Sequence, residues 1–515
     1  MIVSSDSKYS MQRQPKRITS NALVLFVRML IVTIINLYSV RFVIKGLGGE
    51  DYGIFNAVVG VVMTCSCVFP VLAISVQRFY SYAMGEGAWG RLREIFSASV
   101  NIIVFSLVVI IVLLETIGLF FIREKLQIPI ERMEEAELIF HLAMVTFSFS
   151  YLQIPYTAAL FAHENFGIYA GVSCLDCVLK FVVALFIGKV CFSGLTTYAV
   201  GLSVVSLCTW LCYVVACSKY SECRYYMVRN HGIYKDLLSF SGWTMYGSFA
   251  GVGMIQGNNI LLNVFFGPLA NAAFGVAVNI YNAFISLSNT VALPFRPQMI
   301  KSYAAGNFEY LRSLFFANNK FIIYLLSCIA IPLVFEMPMI LDLWISKAFT
   351  EMSVFSSLFI VYAVLLSLHN PITILIQASG RIRTYHLVAE SIMILCLPVT
   401  WVLFRMGMPA YVAFISMIVL CGVAHVARVI CLKRMQGTFS LASYFSSILL
   451  PCVLVAGGGG GVSLIIYVTM EPGVLRLGLM LLASPLVTLC LAYFVGMTSY
   501  ERSMVNEIFR KFLRR

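Results

Sequence analysis

The sequence predicts an all-α integral membrane protein of about fourteen transmembrane helices, arranged as two six-helix lobes plus two C-terminal helices. Three observations predict it. Fourteen apolar stretches are each long enough to cross a hydrocarbon core about 30 Å thick, which takes roughly 20 residues of helix. Lysine and arginine gather in every second loop between those stretches. A segment of the first half of the chain also reappears, loosely, in the second half.

Taken in order, the spans fall near residues 22–44, 53–77, 96–121, 138–161, 167–188, 194–217, 237–266, 272–295, 315–335, 352–379, 384–404, 409–431, 443–468 and 474–497. Positive charge tests this threading. The N-terminal tail (Lys8, Arg13, Lys16, Arg17), the even-numbered loops and the C-terminal tail account for 25 of the 36 lysines and arginines. The odd-numbered loops account for 8: Lys45, Arg123, Lys125, Arg132, Lys189, Lys347, Arg405 and Arg476. Arg28, Arg41 and Lys180 sit inside spans. Cytoplasmic loops carry the excess of Lys and Arg, so both termini are expected in the cytoplasm. Misplacing one span in the middle would scramble the alternation.

Composition narrows the class. The chain has 515 residues, is 60% hydrophobic and only 11% charged, whereas soluble domains are about 25% charged. Its net charge of +13 is dispersed through the loops, which argues against nucleic acid as a partner. It suits membrane orientation and contact with anionic lipid headgroups. The N-terminus is polar and basic, and the apolar run after it is too long for a signal-peptide core, so no cleavage is expected. Most of the 15 cysteines fall in apolar stretches, where Cys packs as a small hydrophobe. Cys174 and Cys177 form a CxxC without a second pair at zinc-ribbon spacing, which reads as packing. No metal or cofactor is expected. The loops leave no room for a soluble catalytic domain, and no GxxxxGK[ST] phosphate loop occurs.

The repeat orders the spans. Tyr52-Gly53 meets Phe274-Gly275 at an offset of 222. Ser81-Tyr82-Ala83 meets Ser302-Tyr303-Ala304 at 221, as Gly85, Trp89 and Arg91 meet Gly306, Tyr310 and Arg312. In both copies the span is followed by an aromatic-basic amphipathic stretch, read as a helix lying at the cytoplasmic interface. The offset covers six spans, an even number, so the two lobes share one orientation about an axis along the membrane normal. The expected domains are an N-lobe at 1–217, a cytoplasmic linker at 218–236, a C-lobe at 237–432, and helices 13–14 with a cytoplasmic tail at 433–515.

Three short elements carry a resemblance. GLGGEDYGIFN after span one, AHENF (Ala162 to Phe166) between spans four and five, and QASGRIRTY between spans ten and eleven resemble loops of Wzx-type polysaccharide and O-antigen flippases. These belong to the multidrug/oligosaccharidyl-lipid/polysaccharide (MOP) exporter superfamily, with the lipid II flippase and the MATE drug exporters. The resemblance covers nearly the whole chain. It implies a MATE/MOP-like fold with two six-helix lobes around a central cavity, in the bacterial cell inner membrane. It further implies that the cargo is an undecaprenyl-diphosphate-linked oligosaccharide for surface polysaccharide synthesis, flipped by alternating access. A polysaccharide polymerase complex is an implied partner. Fourteen spans match the lipid II flippase rather than the twelve usual for the best-known Wzx proteins, which leaves the branch open.

Ionisable groups inside spans nominate the site, since each costs about 2.5–3.5 kcal/mol to insert and usually faces water or protein. Arg28 lies a third of the way into span one, between ALVLFV and MLIVTII. A diphosphate calls for multidentate cationic donors, which Arg supplies as a fixed fork and Lys as a point charge. Arg41, nearer the outer end, either joins it or snorkels to headgroups. Asp176 and Lys180, four apart, share one helix face. They form either a self-neutralising pair, or a substrate-binding lysine whose aspartate holds it or takes a coupling proton. Glu390 in span eleven is a candidate H⁺ or Na⁺ site; Glu115 is expected to reach water. In span seven, Gly247, Gly251, Gly253 and Gly257 give GxxxG spacings for close helix approach. Gln256, Asn258 and Asn259 after them suit sugar hydroxyls or helix–helix bonds equally. Span eight adds Asn279, Asn282 and Asn289 and ends at Pro294, Arg296 and Pro297. His369-Asn370-Pro371 marks a kink. Gly457 to Gly461 offers a packing face or a groove for a lipid tail.

Three functions follow for weighing. A lipid-linked oligosaccharide flippase leads, a MATE-like cation or drug exporter is second, and a membrane-embedded polymerase or ligase is third. The exporter needs buried acids, and span one has two arginines and none. The enzyme needs a large outer loop, and REKLQIPIERMEEAE (Arg123 to Glu137) is short.

Overall fold

Every apolar stretch folds as helix, because a backbone in hydrocarbon must satisfy its own hydrogen bonds. The computed structural model describes residues 5–47, 49–124, 129–187, 193–344, 350–435, 440–499, 501–503 and 505–506. Its spans are α1 (Ser5–Leu47), α2 (Ala57–Gly85), α3 (Trp89–Glu124), α4 (Ile130–Ala162), α5 (Phe166–Phe186), α6 (Gly194–Cys217) and α7 (His231–Gly267). They continue with α8 (Ala273–Ala292), α9 (Phe308–Phe335), α10 (Thr350–Ser379), α11 (Ile382–Arg405), α12 (Val412–Arg434), α13 (Leu441–Thr469) and α14 (Val474–Gly496). Among the described residues, 12 of these are long and apolar enough to cross a membrane by themselves. α8 adds a thirteenth, bent by 46° into Phe295–Ala304, where Pro294 interrupts the helix. The apolar part of α1 is the shorter segment Ser20–Asn36.

The chain separates into two compact units, Asn21–Met245 and the remainder. In the first, α4 is central. Its Ile139, Phe140, Phe147 and Tyr151 are buried with Val58 and Val62 of α2, Ile103 of α3 and Ala199 of α6. In the second, α9 and α10 are the most enclosed spans, because α13 and α14 cover α9. Two ion pairs fix that cover. Lys320 Nζ lies 3.0 Å from Glu501 Oε2, just beyond α14, with both side chains buried. Just past the C-terminus of α9, Arg476 Nη2 donates to Glu336 Oε2 at 3.0 Å, and Arg476 Nε lies 2.7 Å from Oε1. Gly459 of α13 and Gly496 permit the contact; a Cβ at either would fall within 2.3 Å of Thr488 Oγ1 or Tyr324 Oη. Gly458 likewise meets Leu491, whereas a Cβ at Gly457, Gly460 or Gly461 would meet nothing within 4 Å.

One turn recurs four times. Gly87 (φ 72°), Glu164 (φ 60°), Gly306 (φ 71°) and Gly380 (φ 75°) each end a helix in the left-handed conformation. The next residue has φ near −85° and ψ between 56° and 74°, and a new helix follows at once. The bonds repeat too. Ala88 N–H donates to the Ala83 carbonyl and Gly87 N–H to Met84, as Asn307 donates to Ser302 and Gly306 to Tyr303, the Schellman arrangement. This corrects the register of the sequence repeat. Gly306 is the counterpart of Gly87, at an offset of 219, and not of Gly85 at 221. A second register, 216, relates Glu164 to Gly380, and relates the break before Pro155 in α4 to the break before Pro371 in α10. The amphipathic stretches after the turns are the first turns of α3 and α9 themselves, rather than separate interfacial helices.

The charge tally also changes. Lys320 and Arg428, credited to even-numbered loops, lie within α9 and α12 and are buried. The alternation survives because many cations remain in those loops.

Candidate functional site

In the first unit, one stripe of α1 faces α5. Asn21 Nδ2 donates to the Glu164 carbonyl at 3.3 Å, Arg28 Nε donates to Ser173 Oγ at 2.8 Å, and Asn36 Oδ1 lies 3.4 Å from Cys177 Sγ. Positions 21, 28 and 36 recur about every two turns, which keeps them on one face. The Arg28 guanidinium also lies over the Tyr169 ring, 4.8 Å from its centroid, a cation–π contact. On α5, Ser173, Asp176 and Lys180 follow at three and four residues and share a face. Lys180 Nζ is 2.8 Å from Asp176 Oδ2, and both side chains are partly exposed.

These residues border a cavity of about 430 Å³ inside the unit. Tyr169, Ser173, Asp176 and Lys180 form its α5 wall; Gln153, Thr157 and Phe161 of α4 and Thr209 and Tyr213 of α6 face them. Gln153 stands at the Pro155 break, and its Nε2 donates to Thr209 Oγ1 at 3.2 Å. Arg28 reaches the edge through Ser173 and Tyr169. The lining therefore combines aromatic faces, hydroxyls and an amide with one cation and one acid, and Arg28 stands behind it. Such a chamber suits an anion carrying a polyhydroxylated ring. The side chain of Arg41 lies outside the described residues.

The second unit holds its charges differently. Arg428 is the hub. Its Nη2 donates to Glu390 Oε1 at 2.7 Å, its Nε to Tyr385 Oη at 3.0 Å, and its Nη1 lies 2.7 Å from His369 Nδ1. His386 Nδ1 lies 3.8 Å from the same Glu390 oxygen, and His425 stacks on His369 at 5.2 Å. Glu390 thus has a buried partner in α12 that sequence proximity did not offer. Arg428 could have been found by the test that found Arg28, since apolar residues flank it on both sides. It was missed because it was counted with the loops.

The polar residues of α7 do not act as a group. Asn258 is fully buried and donates to the Met254 carbonyl at 2.9 Å, with Cys396 Sγ at 3.7 Å, contacts of the helix-bonding kind. Gln256 is exposed and Asn259 half-buried. Gly247 and Gly257 make the close approaches, to His386 and Leu397, whereas Gly251 and Gly253 face open space. In α8, Asn279 and Asn282 are exposed, and Asn289 Oδ1 accepts from Asn370 Nδ2 at 3.0 Å. Glu115 is exposed, 3.4 Å from His141. No group of His, Cys, Asp and Glu that would hold a metal ion occurs among the described residues.

No protein-family model matches the chain, and no curated protein matches it in sequence. Solved structures share its fold. An outward-facing multidrug resistance MATE family transporter of the MOP superfamily aligns over 83% of this chain and 97% of its own, with a TM-score of 0.65 and 16% identity. A mutant of the Vibrio cholerae MATE transporter VcmN covers 84% and 99%, at a TM-score of 0.68 and 14% identity. The MATE transporter ClbM in complex with Rb⁺ covers 83% and 98%, at 0.67 and 16%. At such identities the likeness is one of fold, and that fold is MATE-like.

Proposed function

We propose that the chain is a secondary transporter that flips an undecaprenyl-diphosphate-linked oligosaccharide across the inner membrane by alternating access. The observation that carries this reading is the cavity of about 430 Å³ lined by Asp176 and Lys180, with Arg28 held against the lining residues Ser173 and Tyr169. The Arg28 fork and the Lys180 ammonium receive the diphosphate. Tyr169, Tyr213 and Phe161 offer faces to sugar rings, and Gln153, Thr157 and Thr209 offer hydrogen bonds. The isoprenoid tail stays in lipid. Arg41, Gln256 and Asn259 are proposed as further contacts along the route. For coupling by H⁺ or Na⁺, Asp176 is the accessible carboxylate, while Glu390 is already engaged by Arg428.

The test is flipping of a lipid-linked oligosaccharide in proteoliposomes, with rescue of flippase-deficient strains beside it. Arg28→Ala and Lys180→Ala are each expected to lower the rate at least about tenfold, the loss of a charged hydrogen bond. Full activity in both variants removes the anion site. Rescue of a lipid II flippase-depleted strain, and not of an O-antigen or capsule strain, assigns the lipid II branch. A second reading, a MATE-like cation exporter, is favoured by the fold neighbours and by Asp176 in the cavity wall. Drug resistance without any glycan rescue would establish it.

A further inference from the structure

Three buried cations of the second unit are each matched by an acid: Lys320 by Glu501, Arg428 by Glu390 and Arg476 by Glu336. Arg381 and Arg434 are exposed and have no carboxylate within ion-pair distance among the described residues. Both line one groove of about 390 Å³ between α11 and α12. Arg381 precedes α11 and Arg434 ends α12, so both lie at the same end of an antiparallel pair. Thr384 stands with them. Seven residues further along each helix, about 10 Å at 1.5 Å per residue, the groove reaches Val388 and Ala427, with Ile430 and Cys431 between Ala427 and the mouth. Val388 and Ile430 are well exposed there, 39% and 40%. The groove is thus cationic at its mouth and apolar along its length, with no acid in its lining.

We propose that this groove binds one anionic phospholipid of the cytoplasmic leaflet. The two guanidinium forks take the phosphate, a geometry that planar cations match bidentately. The Thr384 hydroxyl adds a donor, and an acyl chain lies along Val388 and Ile430. Basic pockets between helices on the cytoplasmic side recognise lipid headgroups in this way. A soluble phosphate would use the mouth alone and leave the floor uncovered. The inference rests on the membrane orientation proposed from the charge bias, and it stands whether or not the cargo is a glycan.

The experiment places the full chain in nanodiscs of phosphatidylcholine with phosphatidylglycerol admixed, and counts retained lipid by native mass spectrometry. The protein is expected to keep a phosphatidylglycerol against excess phosphatidylcholine. Arg381→Gln with Arg434→Gln should weaken that retention about thirty-fold, the equivalent of about 1 kcal/mol for each basic residue removed. Arg91→Gln, on an exposed arginine elsewhere, should change nothing. Should the double variant not fold, Val388→Trp fills the floor and must reduce retention too. Undiminished retention in the double variant or in Val388→Trp overturns the proposal. So does displacement of the lipid by inorganic phosphate, which would mark a soluble-anion site. Loss of flipping in pure phosphatidylcholine vesicles with lipid retention intact would make the groove a substrate entrance, and also overturns it. Failure of the flippase reading alone leaves the lipid count unchanged.

Discussion

At the level of single residues, the two units treat a membrane-buried arginine in opposite ways. Arg28 meets a hydroxyl and an aromatic face beside a cavity, whereas Arg428 is consumed by Glu390, Tyr385 and His369. Removing one partner of a buried pair strands the other charge, which costs about 3–5 kcal/mol. Arg428→Ala should therefore lower thermal stability in detergent strongly, and Arg428→Met with Glu390→Leu should restore most of it. Arg28→Lys keeps the charge but loses the Nε donation to Ser173 and the planar contact with Tyr169. It is expected to fold normally in the same melt and to flip lipid-linked glycan severalfold more slowly, by about 1 kcal/mol. Arg28, Asp176 and Lys180 were legible because each interrupts an apolar run and two of them lie a helical turn apart. Arg428 and Glu390, 38 residues apart, were not legible as a pair, because no local spacing joins α11 to α12. The amides of α7 left two readings open for a related reason: one sequence cluster falls on different helix faces, and Asn258 is turned inward.

At the level of elements, the four left-handed turns show what the repeat preserves. A glycine with φ above +70° tolerates a Cβ poorly, at about 1–2 kcal/mol, even in open space. Gly87→Ala and Gly306→Ala should each destabilise by that amount in thermal melts, although neither Cβ would touch a neighbour. Gly247→Ala is a different case. Its Cβ would fall 2.7 Å from His386 Nδ1, and overpacking of that kind costs about 1–3 kcal/mol. Gly251→Ala, facing open space, should melt like the parent and serves as the control. The helices themselves were readable from hydropathy alone, and the break in α10 from Pro371, whereas the break before Pro155 in α4 emerged only from the backbone. The repeat register was not, since matching letters placed Gly85 opposite Gly306 while backbone geometry places Gly87 there.

Across the whole molecule, the same register shows a division of labour. Gln153, at the break in α4, corresponds at offset 216 to His369, at the break in α10. In the first unit that position borders a hollow; in the second it joins the Arg428 cluster. One copy keeps a hollow at this position, and the other is filled by its own charges. The proposed orientation is testable by thiol labelling. In a chain freed of its native cysteines, a cysteine at Glu471 should react with an impermeant maleimide in intact cells. One at Asn230 should react only after permeabilisation; the reverse pattern would invert the topology.

The pairs that clamp α13 and α14 against α9 have a bearing on the history of the chain. A shortened descendant ending after α12 would keep Lys320 and Glu336 in its interior while losing Glu501 and Arg476. Deletion would bare an ammonium midway along α9 and a carboxylate just past its C-terminus. Neutral replacements at both positions must come first, so the longer form, once acquired, works as a ratchet that no single truncation reverses.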